Sequence, residues 1–356
     1  MPTKFIYHNR GIDLIVISAI LVFILVSTGI GSAETPRSME ECAQIENAAE
    51  RLKCYDEVAG RKPPETTEEE KAIIKRPLEE DREIPTYLER LWDLDEESRR
   101  GKFAVKFHRS NYILPFTYVE HPNEEVIRED DPTRELKNAE VKFQLSFKVK
   151  LWQDILCKDM DLWFAYTQKS FWQVYNLEDS SPFRETDYEP EILLNFRTSY
   201  DLLGLKGRFI NVGFNHQSNG QSAPLSRSWN RFVANFGFER ENFVLLLNTW
   251  LRIPEDSEDD DNPDIEDYLG YGELWGYYFW KNQRFGVMVR NNFDFDENRG
   301  AVQLEWAFPL IKRVSGYIQY FHGYGESLLD YNHSIRRVGI GFIIQDWDWS
   351  RMRDRR

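Results

Sequence analysis

The stretch Asn215-His-Gln-Ser-Asn-Gly220, followed by Ser226-Arg-Ser-Trp-Asn-Arg231, holds the most specific chemistry in the chain. His216 and Ser218 are two residues apart, and a strand sends side chains at that spacing to one face. Ile210, Val212 and Phe214 make that face apolar. Asn219-Gly220 and Pro224 mark a turn, and the returning run carries Asn230 in the same parity as Phe232, Ala234, Phe236 and Phe238. A hairpin centred near residue 223 sets His216 opposite Asn230, with Cβ atoms about 5 Å apart. His216 could then serve as general base for Ser218 while Asn230 bonds the other ring nitrogen and fixes the tautomer. The bland alternative is a group of ordinary polar residues at a membrane rim. An oxyanion here also needs donors or positive charge. Arg227 and Arg231 have the opposite parity and point inward, whereas Ser222, Ser226 and nearby carbonyls offer oxygen to a hard cation such as calcium.

The elements that must position these residues are strands. In Val141-Lys-Phe-Gln-Leu-Ser-Phe-Lys-Val-Lys-Leu151 every odd position is apolar and every even one polar, the pattern of a strand with two unlike faces. Similar runs occur near 103–120, 139–152, 161–174, 189–200, 208–218, 228–239, 243–252, 267–280, 284–294, 300–310, 314–324 and 335–346. Most are near the ten residues with which a tilted strand crosses a bilayer. Val302, Leu304, Trp306, Phe308 and Leu310 form one apolar face, opposed by Gln303 and Glu305; Val338, Ile340, Phe342 and Ile344 form another. A soluble sandwich or propeller would alternate too. Long strands, polar second faces and Tyr and Trp near strand ends suit a closed transmembrane barrel better. The expectation is an all-β, twelve-stranded antiparallel transmembrane β-barrel.

Lys4 and Arg10 precede an uncharged run centred on Ile20-Leu-Val-Phe-Ile-Leu-Val26, and Gly31-Ser-Ala33 ends it. This is the layout of a secretory signal peptide over residues 1–33, the alternative being an uncleaved anchor. Residues 34–60 form a short helix-prone segment with Cys42 and Cys54. On one continuous helix these would lie about 18 Å apart, too far for a disulfide, so a helical hairpin closed by Cys42–Cys54 is expected, against two unpaired thiols. Cys157 is left over. Residues 61–98 are crowded with charge, hold little that can pack a core, and are assigned as a linker. The barrel is assigned to 99–349 and a basic tail to 350–356. The 356 residues carry a net charge of −15, which argues against a nucleic-acid partner, because phosphate binding needs a basic surface.

The chain resembles the outer-membrane phospholipase A family, twelve-stranded barrels of Gram-negative bacteria. The resemblance rests on Tyr166-Thr-Gln-Lys-Ser-Phe-Trp-Gln173, Ser180-Ser-Pro-Phe-Arg-Glu-Thr-Asp-Tyr-Glu-Pro190, the two stretches around His216 and Asn230, Asp261-Asn-Pro-Asp-Ile265 and Gly323-Tyr-Gly-Glu-Ser-Leu-Leu-Asp-Tyr331. It implies calcium-dependent hydrolysis of acyl esters at the sn-1 and sn-2 positions of phospholipids and lysophospholipids in the outer membrane. Ser218 would be nucleophile, His216 base and Asn230 orienter. Calcium would be held by the Gln221 carbonyl, the Ser226 region and Ser180 of a second copy, and Gln168 would lie in the contact of the active homodimer. The N-terminal Cys-bearing segment would then be periplasmic, and the site would face the outer leaflet. Gln221 stands where well-known members carry Arg, the N-terminal segments are additions to the barrel, and Trp349 is followed by Ser350-Arg-Met-Arg-Asp-Arg-Arg356 rather than ending the chain. The rivals are a non-catalytic pore that keeps the scaffold and, less well supported, a soluble secreted lipase.

Overall fold

The computed structural model describes residues 38–61, 85–96, 98–156, 159–258, 260–311 and 313–344. The expected signal peptide, most of the linker, Cys157 and the basic tail lie outside these residues. Two compact units divide the chain at Asp81/Arg82.

In the first unit, α1 (Met39–Ala43) and α2 (Ala48–Val58) form a helical hairpin. Ser38 and Glu41 make a reciprocal capping box at the start of α1, satisfying donors that a helix start leaves open. Cys42 and Cys54 are disulfide-bonded with Cα atoms 5.5 Å apart. The hairpin expected from their spacing is present.

The described residues of the second unit contain thirteen strands. They are β1 (Val105–Phe107), β2 (Asn111–Glu120), β3 (Ala139–Trp152), β4 (Met160–Trp172), β5 (Phe183–Leu202), β6 (Leu205–Ser218), β7 (Ser228–Arg240), β8 (Phe243–Ile253), β9 (Gly272–Trp280), β10 (Gln283–Asn291), β11 (Gly300–Ile311), β12 (Val314–Gly323) and β13 (Ile335–Ile344). Each of β2 to β13 pairs antiparallel with its sequence neighbours, and β13 pairs back onto β2. Setting aside β1, a short strand that pairs only with β3, a closed ring of twelve strands remains. Closure leaves no free sheet edge, the condition for strands to cross a bilayer. Among the described residues no helix is long and apolar enough to do so.

The alternation expected from sequence becomes a wall with two faces. Leu304, Trp306, Val338, Ile340, Phe342 and Ile344 are exposed on the outside, while Glu305, Ala307, Arg337 and Ile343 are buried inside. Strands are joined at one end by short turns such as 203–204, 241–242 and 281–282, and at the other by longer loops such as 121–138, 173–182, 219–227 and 254–271. Gly204 at φ +82° makes one tight turn possible, since such backbone favours glycine. The hairpin that carries the candidate residues opens at the long-loop end.

Three expectations need correction. The run near 103–120 is broken, because His108 and Arg109 leave the ladder between β1 and β2. His108 Nε2 lies 2.8 Å from Glu191, and Arg109 donates to Glu189 at 2.7 and 3.0 Å. The run near 189–200 is the end of the longer β5, whose first turn of charge (Arg184, Glu185, Asp187) points into the lumen and is buried. The run near 267–280 begins as a short helix, α5 (Ile265–Leu269), which follows α3 (Tyr87–Trp92) and α4 (Glu124–Asp130) in the chain. At Gly270 (φ +61°) a Cβ would lie 2.5 Å from the Asn291 carbonyl, so the chain can turn there into β9 only through glycine.

The linker assignment also fails at its C-terminal part. Thr86 and Glu89 cap α3 reciprocally, and Leu88 and Trp92, one turn apart, are fully buried in the barrel unit. Trp92 packs against Trp163, Phe209 and His108 with ring centroids 5.7, 5.2 and 5.8 Å apart, and Lys148 Nζ sits over its ring at 3.4 Å. Asp93, just past the helix, pairs with the buried Lys150 at 3.2 Å and with Lys106. Two apolar side chains suffice to anchor a segment that is otherwise highly charged.

The rest of the lumen is a closed ionic lattice. Glu326, in the loop after β12, binds Lys142 at 2.7 Å and Arg337 at 2.6 Å; Glu140 binds Arg337 at 2.8 Å and Arg184 at 3.2 Å; Arg184 reaches Asp330 at 2.9 Å. Charges removed from water are tolerated only when so paired. Elsewhere in the lumen a cavity of about 170 Å³ is lined in part by Arg109, Glu189, Arg231 and Trp92.

Candidate active site

The β6–β7 register pairs His216 with Asn230 and Ser218 with Ser228. Phe214 and Phe232, also paired, are exposed on the outer wall. His216, Ser218 and Asn230 continue that row, each half-buried. His216 Nδ1 lies 2.9 Å from Asn230 Oδ1. With Asn230 accepting, Nδ1 carries the proton and Nε2 keeps its lone pair, the state a general base requires.

The opposite parity does structural work. Asn215, fully buried, accepts from Arg231 at 2.5 Å and donates to Glu189 at 2.8 Å. Gln217 accepts from Trp229 Nε1 at 2.9 Å. This inner row ties β5, β6 and β7 together, so the outer row rests on a rigid backing.

The loop 219–227 is shaped by Asn219, which nothing in its sequence context marks beyond a turn. Its buried amide donates to the Leu225 carbonyl at 2.7 Å and accepts from the backbone N–H groups of Arg227 at 3.0 Å and Gln221 at 3.3 Å. The neighbouring 254–271 loop braces it from the side. Asn262 accepts from the Ser228 N–H at 2.9 Å, and Ser226 Oγ donates to Asp261 at 2.5 Å. Tyr331 donates to Asp264 at 2.7 Å; burial, together with that carboxylate, pushes the Tyr331 phenol well above its ordinary pKa. Glu255 accepts from Asn230 Nδ2 at 2.7 Å, and no sequence signal marked it, because it sits in an acidic run that reads as solvated.

The oxygen-donor set expected for calcium fits a hard cation in kind. Gln221 and Ser226 lie on the one loop, and the Asp261 carboxylate on Ser226 adds negative charge beside neutral oxygens, the ligand chemistry calcium prefers. Among the described residues no three His, Cys, Asp or Glu side chains cluster as a metal site. Ser180 belongs to a different loop, between β4 and β5, where it is exposed at φ +61°. Gln168 is on the outer face of β4, half-buried, donating to Ser170 Oγ at 3.2 Å and accepting from the Tyr166 hydroxyl at 3.3 Å. Gln168 pairs with Tyr188, and Tyr188 pairs with Ser218, so the amide and the serine share one row across the wall.

The family model for phospholipase A1 matches residues 88–344. A relative from Neisseria meningitidis serogroup B is 36% identical over 351 residues, covering 86% of this chain and 91% of its own. The phospholipase A1 of Escherichia coli strain K12 is 39% identical over 245 residues, covering 68% of this chain and 82% of its own. A solved structure of the Salmonella typhi outer membrane phospholipase, a dimer with bound calcium, is 37% identical and superposes with a TM-score of 0.65 over 70% of this chain and 95% of that one. The barrel, its lipid-facing wall and these relatives place the protein in the bacterial outer membrane. The chain belongs to the phospholipase A1 family.

Proposed function

We propose that the protein hydrolyses acyl esters of phospholipids, at either glycerol position and in lysophospholipids, by a serine mechanism on the outer wall of the barrel. The observation that carries this reading is the His216–Asn230 hydrogen bond on the lipid-facing row that also bears Ser218. Ser218 attacks the ester carbonyl of a lipid lying along the wall, and His216 Nε2 takes its proton. The same imidazolium returns the proton to the departing alcohol, and water then releases the fatty acid from Ser218 by the reverse sequence. Gln221, Ser226 and Ser180 of a second copy would hold calcium, which supplies positive charge for the oxyanion. Gln168, a polar amide on an apolar wall, would meet its counterpart across the homodimer contact. Since the site lies on the wall and not in the lumen, activity depends on phospholipid reaching the leaflet at the long-loop end.

The test is release of fatty acid from phospholipid in detergent micelles, with calcium or with chelator. Wild-type protein should be active only with calcium, and Ser218→Ala should lose about a thousandfold or more in rate. Full activity under chelation would remove the calcium, and full activity of Ser218→Ala would remove the mechanism. The pore reading is disfavoured by a lumen in which Lys142, Lys148 and Lys150 are wholly enclosed; porin-like single-channel conductance would restore it.

A further inference from the structure

We propose that Glu255 is a positioning residue for hydrolysis: through Asn230 it fixes which nitrogen of His216 carries the proton. The proposal rests on the reading of Ser218, His216 and Asn230 as the hydrolytic set. A primary amide can present either its oxygen or its NH2 group to a neighbour, and the two orientations are nearly equal in shape. Turned one way, Asn230 accepts from His216 Nδ1 and leaves Nε2 free to act as base. Turned the other way, it donates to Nδ1, which forces the proton onto Nε2 and disables the ring toward Ser218. Asn230 alone therefore does not decide the tautomer.

Glu255 decides it. Its carboxylate Oε1 lies 2.7 Å from Asn230 Nδ2, while Asn230 Oδ1 lies 2.9 Å from His216 Nδ1. An ionised carboxylate only accepts, so the NH2 end of the amide must face Glu255 and its oxygen must face the ring. The backbone delivers this carboxylate locally. Asn230 pairs with Ile253, the last residue of β8, and Pro254 then interrupts the ladder because it has no N–H to donate. Glu255 follows, half-buried, at the start of the long loop.

The arrangement also divides two tasks that one Asp would have to combine. A carboxylate directly on the ring would be desolvated against the lipid face, at considerable cost. Here the group on the wall is neutral, and the charge sits one hydrogen bond away in a loop. As His216 gains its proton, the carboxylate polarises the amide and favours the imidazolium, as in other chains of hydrogen bonds. The other ionisable groups nearby are already engaged or uncharged. Tyr188 of β5 pairs with Ser218; Arg231 of β7 is held inside by Asn215 and Glu189; Asp261 is bonded to Ser226, and Arg252 to Asp260.

The experiment uses the full chain in phospholipid–detergent micelles with calcium, and compares Glu255→Ala, Glu255→Gln and wild type over a range of pH. Glu255→Ala should lower kcat about tenfold, the scale typical of residues that orient a functional group from behind, with KM within about twofold. Its pH–rate profile should have the acid limb displaced to lower pH, because the charge that favours the imidazolium is gone. Glu255→Gln removes the charge and offers an amide that can face Asn230 either way round, so it should recover kcat only in part while its acid limb stays displaced. Wild-type kcat and profile in Glu255→Ala would overturn the proposal. So would an equal loss in both variants with an unmoved acid limb and a lowered thermal midpoint, which is the signature of packing alone. Ser218→Ala, run alongside, separates the two levels: if it is fully active, the hydrolytic set itself falls, whereas an inert Ser218→Ala beside an unaffected Glu255→Ala overturns only the role of Glu255.

Discussion

β6 carries two rows of polar residues that behave in opposite ways. On the lumen side, Asn211, Asn215 and Gln217 close onto Asn195, Arg231, Glu189 and Trp229. On the lipid side, a line of hydrogen bonds runs from Glu255 through Asn230 to His216 and stops beside Ser218. The first row bonds to groups within the protein, so its bonds hold strands together. Under the proposed hydrolysis, the second leaves a hydroxyl and a ring nitrogen for a reactant. One strand thus separates stability from chemistry by parity, and a substitution should disturb one or the other according to whether its number is odd or even.

The largest effect should come from opening the inner lattice. Glu326→Ala leaves Lys142 without its carboxylate and Arg337 with Glu140 alone, and stranding a buried charge costs about 3–5 kcal/mol. Denaturant unfolding in detergent should show that loss, while the rate per folded molecule stays near wild type. A matched pair on adjacent parities sharpens the contrast. Asn230→Ala should lower the hydrolytic rate about ten- to a hundredfold, equivalent to about 1.4–2.7 kcal/mol, and leave the unfolding midpoint nearly unchanged. Asn215→Ala should do the reverse, losing about 1–3 kcal/mol of stability because the buried Arg231 loses an acceptor, with rate little altered. Equal effects of the two variants on both readouts would end the separation by parity. The smallest effect is expected at Gln168. Gln168→Ala should weaken self-association in detergent by about 1 kcal/mol, the worth of a typical hydrogen bond, as read by analytical ultracentrifugation, and leave monomer unfolding untouched.

The outer row was readable from sequence because the wall is one residue thick. Lipid on one side and a polar lumen on the other impose a strict period of two, and a hairpin midpoint near residue 223 is enough to set His216 opposite Asn230. The inner lattice has no such signature. Lys142 and Gln319 meet across 177 positions, and nothing local announces which charge meets which. The same blindness shortened β5, since Arg184, Glu185 and Asp187 look like loop charge until the lumen is known to be ionic. α3 escaped notice because only Leu88 and Trp92 anchor it amid charged neighbours, and Glu255 because its importance depends on Pro254 folding it back toward Asn230. Family resemblance supplied calcium, a second copy and the substrate class, which parity cannot supply.

The packed interior has a consequence for the cell that carries this protein. A porous barrel admits solutes in proportion to its copy number, so abundance erodes the permeability barrier that keeps toxic compounds and antibiotics out. A barrel filled by α3 and the Glu326 lattice separates those quantities. The outer membrane can hold such a barrel at high copy number without a matching rise in its permeability.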